Sequence, residues 1–317
     1  MTGIPQFSAE TSPEGRFVRQ ANHFRDRITM DGSSGYLAEP GRYQLYVSLA
    51  CPWAHRTLIV RRMLGLEQAV GVTVVDPIRD ERGWRFTLSP DARDPATGAR
   101  FLSELYLATD PTYEGRITVP CLWDRRTRRL VSNDFPQITL TLETEFRRFH
   151  RPGAPDLYPM ELRREIDAMN ALVYHTVNNG VYKAGFATTQ AAYEEAFDAL
   201  FTTLDALEDR LSRRRFLVGD RLTESDVRLF PTLVRFDAVY YNHFKTNLRR
   251  LVDYPHLWAY ARDLFGRPGF GDTTNFDHIK RHYFQTQDQV NPRRIVPKGP
   301  YVDWRSPHNR THLPEYG

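Results

Sequence analysis

Residues 43–56 read YQLYVSLACPWAHR. Tyr43–Ala50 is a β-rich run of aromatic and aliphatic residues, as in a buried strand. At Cys51-Pro52 the period changes: Ala54, Leu58, Ile59, Arg62 and Met63 recur at helical spacing, and Gly65 marks the helix end. A strand therefore ends, and a helix begins, at a cysteine. Proline suits the first helical position because its missing N–H would have no intrahelical partner there. Cys51 then sits at the N-cap, facing free backbone N–H groups and the positive end of the helix dipole. Such a position lowers a thiol pKa to about 3.5–7.5 and makes the thiolate a nucleophile. The plainer alternative is an inert, buried cysteine that merely caps a helix.

Working outward, Ala69–Val75 reads as a second strand, followed by a polar insertion with Trp84 and a helical stretch around Phe101–Leu107. Ile117–Trp123 and Arg129–Val131 read as two further strands, and a helix follows near Asp134–Phe149. The order β-α-β-(insertion)-β-β-α predicts a thioredoxin-like α/β domain over residues 43–150, preceded by an irregular arm over 1–42. Three prolines in 151–160 mark a linker. Residues 160–265 are helical in pattern, with stripes in Glu161–Asn178 and Ala191–Leu211 and a last helix over His256–Phe265. Between the last two, LTESDVRLF carries a capping box at Thr223 and Asp226 with a staple at Leu222 and Val227, a folding signal rather than a chemical one. The expected fold is thus α/β plus all-α, and residues 266–317 read as an irregular extension.

Composition narrows the class. The chain has 317 residues, 41% hydrophobic, with a net charge of +4, which gives no ground for nucleic-acid binding. Of 43 basic residues only Lys183, Lys245, Lys280 and Lys298 are lysines, and guanidinium forks match carboxylates. Cys51 and Cys121 form neither a CxxC nor a disulfide framework, so a reducing, cytoplasmic setting is expected. No run suggests a signal peptide or a membrane span.

Four further features bear on chemistry. Pro120 in Thr118-Val119-Pro120 predicts an edge, a bulge or a cis bond, which in a thioredoxin-type unit lies beside the cysteine. Cys121 follows and reads as a core residue more than a redox partner. Ser132-Asn133-Asp134 precedes a helix whose start suits a carboxylate, or is simply a cap. Asn179-Gly180-Val181-Tyr182 reads as a glycine-flanked break, and Tyr240, Tyr241 and Tyr283 read as packing residues on their own evidence. His278 and His282 stand at i, i+4 without a third metal ligand, so a solvated helix face is expected and no metal.

CPWAHR, the Trp84 insertion, TVPCLWD, the SND segment, NNGVYKAGFA, FLVGDRLTESDVRLFPTLVRFD and the late HYFQ occur together and in this order. The chain, over about residues 30–305, resembles the xi-class glutathione transferases, also called glutathionyl-hydroquinone reductases. The resemblance implies a thioredoxin-like N-terminal domain, a glutathione-transferase-type helical C-terminal domain and a homodimer. It implies reductive removal of a small thiol from S-conjugated hydroquinones, with Cys51 as nucleophile and Tyr182 and Tyr283 as active-site tyrosines. It also places Trp84, Val119, Arg116 and Asp134 at the thiol cosubstrate. Where the family usually reads N-E-S-S-E-I, this chain reads Asn133-Asp134-Phe135-Pro136-Gln137-Ile138. Phe135 has no hydroxyl for the γ-glutamyl carboxylate, so the cosubstrate is glutathione or another low-molecular-weight thiol such as mycothiol. The rival readings are a glutaredoxin-like deglutathionylase or dehydroascorbate reductase, which needs no tyrosines, and a non-catalytic transferase-like binding module, which needs no Cys-Pro.

Overall fold

A computed structural model describes residues 10–315. The described chain divides into two compact units, one of Gln20–Ala154 with Asp277–Thr286, the other of Glu10–Arg19, Pro155–Phe276 and residues 287–315. Residues 1–9 of the expected arm lie outside the described residues.

In the first unit β1 (Tyr43–Val47) leads to α1 (Pro52–Met63), β2 (Val70–Val74), α2 (Leu102–Thr109), β3 (Cys121–Asp124), β4 (Arg129–Ser132) and α3 (Phe135–Thr144). The sheet order is β2-β1-β3-β4. β1 and β2 run parallel, while β1–β3 and β3–β4 are antiparallel. All five β1 residues are buried, as expected of a strand covered on both faces. Tyr46 points into a cluster with Phe86, Leu102, Tyr106, Cys121 and Trp123. Tyr43 is on the other face, edge-on to Phe146, and α1 packs against α3. Asp94 ties the insertion to the sheet by accepting hydrogen bonds from Tyr46 Oη (2.7 Å), Thr73 Oγ1 (3.2 Å) and Thr97 Oγ1 (2.6 Å).

The ladder of β3 starts only at Cys121, not at Ile117, because Pro120 has no N–H to donate. The larger correction concerns the expected irregular segment 266–317. It contains α10 (Phe276–Thr286), whose residues from Asp277 onward pack with the first unit. Its apolar face buries Ile279, Tyr283 and Phe284. His282 is also buried, not solvated.

The second unit holds α4 (Arg163–Val173), a π-helical turn (Tyr174–Asn178), α5 (Gly180–Gly185), α6 (Gln190–Arg213), α7 (Glu224–Arg235), a second π-helical turn (Phe236–Tyr240), α8 (Tyr241–His243) and α9 (Pro255–Phe265). The glycine-flanked break is in fact helix α5. Gly185 is required by proximity: a Cβ there would clash with the Phe244 ring. Beyond α10 the tail is irregular but anchored. Arg310, buried, donates to the Leu211 and Arg214 carbonyls at the end of α6 (2.9 and 2.6 Å). No helix among the described residues is long and apolar enough to cross a membrane.

The capping box of α7 forms. The Asp226 carboxylate accepts from the N–H groups of Leu217 (3.0 Å) and Thr223 (2.8 Å) and from Tyr260 Oη (2.7 Å), all buried. At roughly 1–3 kcal/mol for each buried donor left without an acceptor, Asp226→Ala should lose about 3 kcal/mol or more of stability. A fall in the urea midpoint, smaller for Asp226→Asn, checks this.

Candidate active site

Cys51 directly precedes α1, with an extended backbone (φ −77°, ψ 122°) and Pro52 at the first helical position. Its N–H bonds the Ser48 carbonyl, and its carbonyl accepts from His55 N–H, both at 3.0 Å. The turn is therefore fixed at both ends of the residue. The first turn of α1 carries no acidic side chain to offset the positive end of the helix. The thiol is partly buried, and its S–H donates to the Val119 carbonyl oxygen at 3.3 Å. The Val119–Pro120 peptide is cis.

Cys51 packs on the cluster that contains Trp84, Val119, Tyr106, Tyr113 and Cys121. Trp84 is 4% exposed, and its buried Nε1 has no hydrogen-bond partner. A buried indole N–H without an acceptor is unfavourable unless a ligand supplies one. Cys121 is fully buried, and that burial pushes its thiol well above the usual range.

The segment that precedes α3 is clamped by residues 22–24. Asn133 Oδ1 accepts from Phe24 N–H (3.0 Å), and Asn133 Nδ2 donates to Thr118 Oγ1 (3.1 Å). Asp134, the N-cap of α3, accepts from Asn22 Nδ2 at 3.1 Å. The Arg116 N–H donates to Gln20 Oε1 (3.1 Å), and its carbonyl accepts from Tyr113 Oη (2.7 Å). Asn22 and Gln20 make contacts here that sequence reasoning missed. Their polarity in the arm was the available signal, but only the fold supplies their partners.

Phe135 is buried, with its ring 4.5 Å from that of Trp53. The Arg56 guanidinium stands 4.7 Å from the Trp53 ring and 5.9 Å from Phe135. The residue that lacks a hydroxyl is thus an anchor between α1 and α3. Pro136 has no N–H, and the Gln137 N–H already bonds the Asp134 carbonyl at 2.9 Å. The start of α3 accordingly offers fewer donors than an ordinary helix N-terminus.

Tyr283, 1% exposed on α10, belongs to the same unit as Cys51. Tyr182 belongs to the other. Its hydroxyl is 3.5 Å from that of Tyr240 and its ring is edge-on to Phe244. The Arg19 guanidinium stands 5.1 Å from the Tyr182 ring, and Arg19 Nε donates to Asn179 Oδ1 at 3.0 Å. Cys51, Trp84 and Val119 thus share one cluster; Arg116, Asp134 and Tyr283 share their unit, and Tyr182 has its own aromatic surroundings.

The two thiols should separate cleanly by reactivity. In the native protein iodoacetamide should label Cys51 rapidly, and Cys121 only after unfolding, as peptide mapping of partially alkylated protein would reveal. Comparable labelling of Cys121 under native conditions would contradict its burial.

Residues 50–145 match the family described as glutathione S-transferase, N-terminal domain, and residues 190–263 match glutathione S-transferase, C-terminal domain. The chain is 47% identical over 310 residues to the glutathionyl-hydroquinone reductase YqjG of Escherichia coli, covering 94% of this chain and 93% of that protein. It is 50% identical over 291 residues to the glutathionyl-hydroquinone reductase PcpF of Sphingobium chlorophenolicum, covering 91% of each. The crystal structure of the glutathione-S-transferase Xi of Phanerochaete chrysosporium superposes with a TM-score of 0.89 at 49% identity, covering 94% of this chain and 96% of that one. The glutathione-bound structure of YqjG superposes with a TM-score of 0.87 at 47% identity, covering 91% and 96%. A four-stranded sheet that delivers a cysteine to a helix N-terminus, these domain matches and this level of identity along nearly the whole chain lead to one conclusion: the protein belongs to the xi-class glutathione transferases, the family of the glutathionyl-hydroquinone reductases.

Proposed function

We propose that the protein is a thiol-dependent reductase that removes a small thiol from S-conjugated hydroquinones through a mixed disulfide on Cys51. The observation that carries this reading is the Cys51 thiol at the start of α1, 3.3 Å from the Val119 carbonyl and packed on the cluster of the unpartnered Trp84 indole. The relatives' names supply the substrate class; the site supplies a nucleophile to act on it. The Cys51 thiolate attacks the sulfur of the aryl thioether. An S–S bond forms, the C–S bond breaks, and its electron pair leaves with the aromatic carbon, which takes up a proton. The hydroquinone ring is released reduced, and the sulfur is oxidised to a disulfide. A second small thiol resolves this disulfide by exchange and regenerates Cys51. The hydroxyls of Tyr182 and Tyr283 are the proposed proton donors to the departing ring. Trp84, Val119, Arg116 and Asp134 are the proposed thiol-binding residues, Val119 through its backbone and Asp134 through a carboxylate suited to an amine. A homodimer in a reducing cytoplasm completes the reading.

The resolving thiol is glutathione or a close substitute. The Phe135 ring and the N–H missing at Pro136 leave the start of α3 poor in donors for a γ-glutamyl carboxylate, which favours a different small thiol such as mycothiol. A comparison of kcat/KM for the two thiols, with one hydroquinone conjugate, tests this. Mycothiol should win in the native protein. Phe135→Ser should shift the preference toward glutathione while lowering the melting temperature, since it removes the Trp53 contact. Glutathione preferred by the native enzyme, with no change in Phe135→Ser, would rule the idea out.

The tyrosines separate reduction from exchange. Tyr182→Phe and Tyr283→Phe should each slow release of hydroquinone by about 10²-fold, the scale of a positioned acid, with exchange on a small aliphatic mixed disulfide unchanged. Equal losses on both substrates would make them structural.

A further inference from the structure

His282 stands next to Tyr283 on α10, yet its side chain turns to a different task. It is 8% exposed, and its ring stacks on the Trp84 indole with centroids 5.1 Å apart and planes 22° apart. Its Nδ1 lies 2.7 Å from the Pro77 carbonyl oxygen. A carbonyl can only accept, so Nδ1 carries the proton and the ring orientation is set by that bond. Pro77 and Trp84 belong to the same stretch between β2 and α2, so one side chain grips that stretch at two points. Trp84 has a further polar neighbour in Arg79, whose guanidinium is 5.4 Å from the indole centroid. None of these contacts satisfies the indole N–H, which stays buried without an acceptor.

We infer that His282 is a positioning residue: by stacking on Trp84 while bonded to Pro77, it holds the indole N–H in place to donate to a carbonyl or carboxylate of the thiol cosubstrate. This rests on the proposed thiol-binding role of Trp84. A flat ring held against a fixed partner loses its freedom before the ligand arrives, and a donor fixed in advance binds more tightly than one that must be ordered on binding. The arrangement also explains why the late HYF segment accompanies the Trp84 insertion in this chain. α10 carries the residue that orients the insertion's tryptophan.

The test is a double-mutant cycle on the KM for the thiol, glutathione and mycothiol each assayed, with Trp84→Phe, His282→Ala and the pair. Iodoacetamide labelling of Cys51 without thiol reports whether the nucleophile is disturbed. Each single variant should raise the thiol KM about tenfold, the scale of a lost orienting contact, with Cys51 labelling unchanged. The double variant should be no worse than the poorer single one, because both act through one indole. His282→Asn, which keeps a donor near Nδ1, and His282→Phe, which keeps the ring, should each recover part of the loss. They also keep the test open if His282→Ala does not fold. If Trp84→Phe raises the KM but the His282 variants do not, or if the two effects multiply, the inference is overturned and the proposed function stands. If Trp84→Phe leaves the KM for both thiols unchanged, the thiol role of Trp84 fails, and this inference with it.

Discussion

The site depends on one junction, where β1 stops and α1 begins at Cys51-Pro52. Because Pro52 lacks an N–H, the helix starts there without forfeiting a hydrogen bond, and Cys51 is left with extended backbone at the positive end of α1. The Ser48 carbonyl and the His55 N–H fix the turn on either side. The sulfur lies half-buried against the carbonyl of the residue before Pro120. The sheet delivers both partners: β1 carries the chain into Cys51, and its antiparallel neighbour β3 begins just after Pro120, with Tyr46 opposite Cys121. A thiol at the positive end of a helix is the kind of group that backbone dipoles activate, which is why the proposed reaction is routed through Cys51.

Around this junction, segments distant in the chain do the holding. The Asp94 carboxylate fastens the insertion to β1 and β2. Residues 22–24 fasten the turn before α3. Residues 277–286, near the end of the sequence, return to the first unit with Tyr283 and His282. The chemistry needs a thiol, a donor for the cosubstrate and donors for the departing ring. In the proposed reaction Cys51, Trp84 and Tyr283, from three separate stretches of the first unit, are the sources of these groups.

The junction was legible because its signals are local: a change of period, a proline at the first helical position and a cysteine before it. The Thr223–Asp226 box was legible for the same reason. What escaped reading depends on contacts between distant residues. Gly180 and Gly185 looked like a break, but Gly185 is glycine because Phe244 packs against a helix there. Phe135 read as a missing hydroxyl; its ring is also a packing partner of Trp53 beside Arg56, residues of another helix. His282 looked solvated because its partners, Trp84 and Pro77, lie far back in the chain. Residues 266–317 looked irregular because α10 is short and polar on one face, and only its burial against the first unit makes its pattern clear.

The central claim is that Cys51 takes the thiol from the conjugate. It is tested most directly by mixing the protein with one equivalent of a glutathionyl-hydroquinone in the absence of free thiol, followed by intact mass measurement and peptide mapping. The account predicts one glutathione in disulfide linkage on Cys51 for each hydroquinone released, with Cys121 unmodified. Hydroquinone release with no adduct on Cys51, or an aryl group rather than a thiol attached to that sulfur, would contradict it.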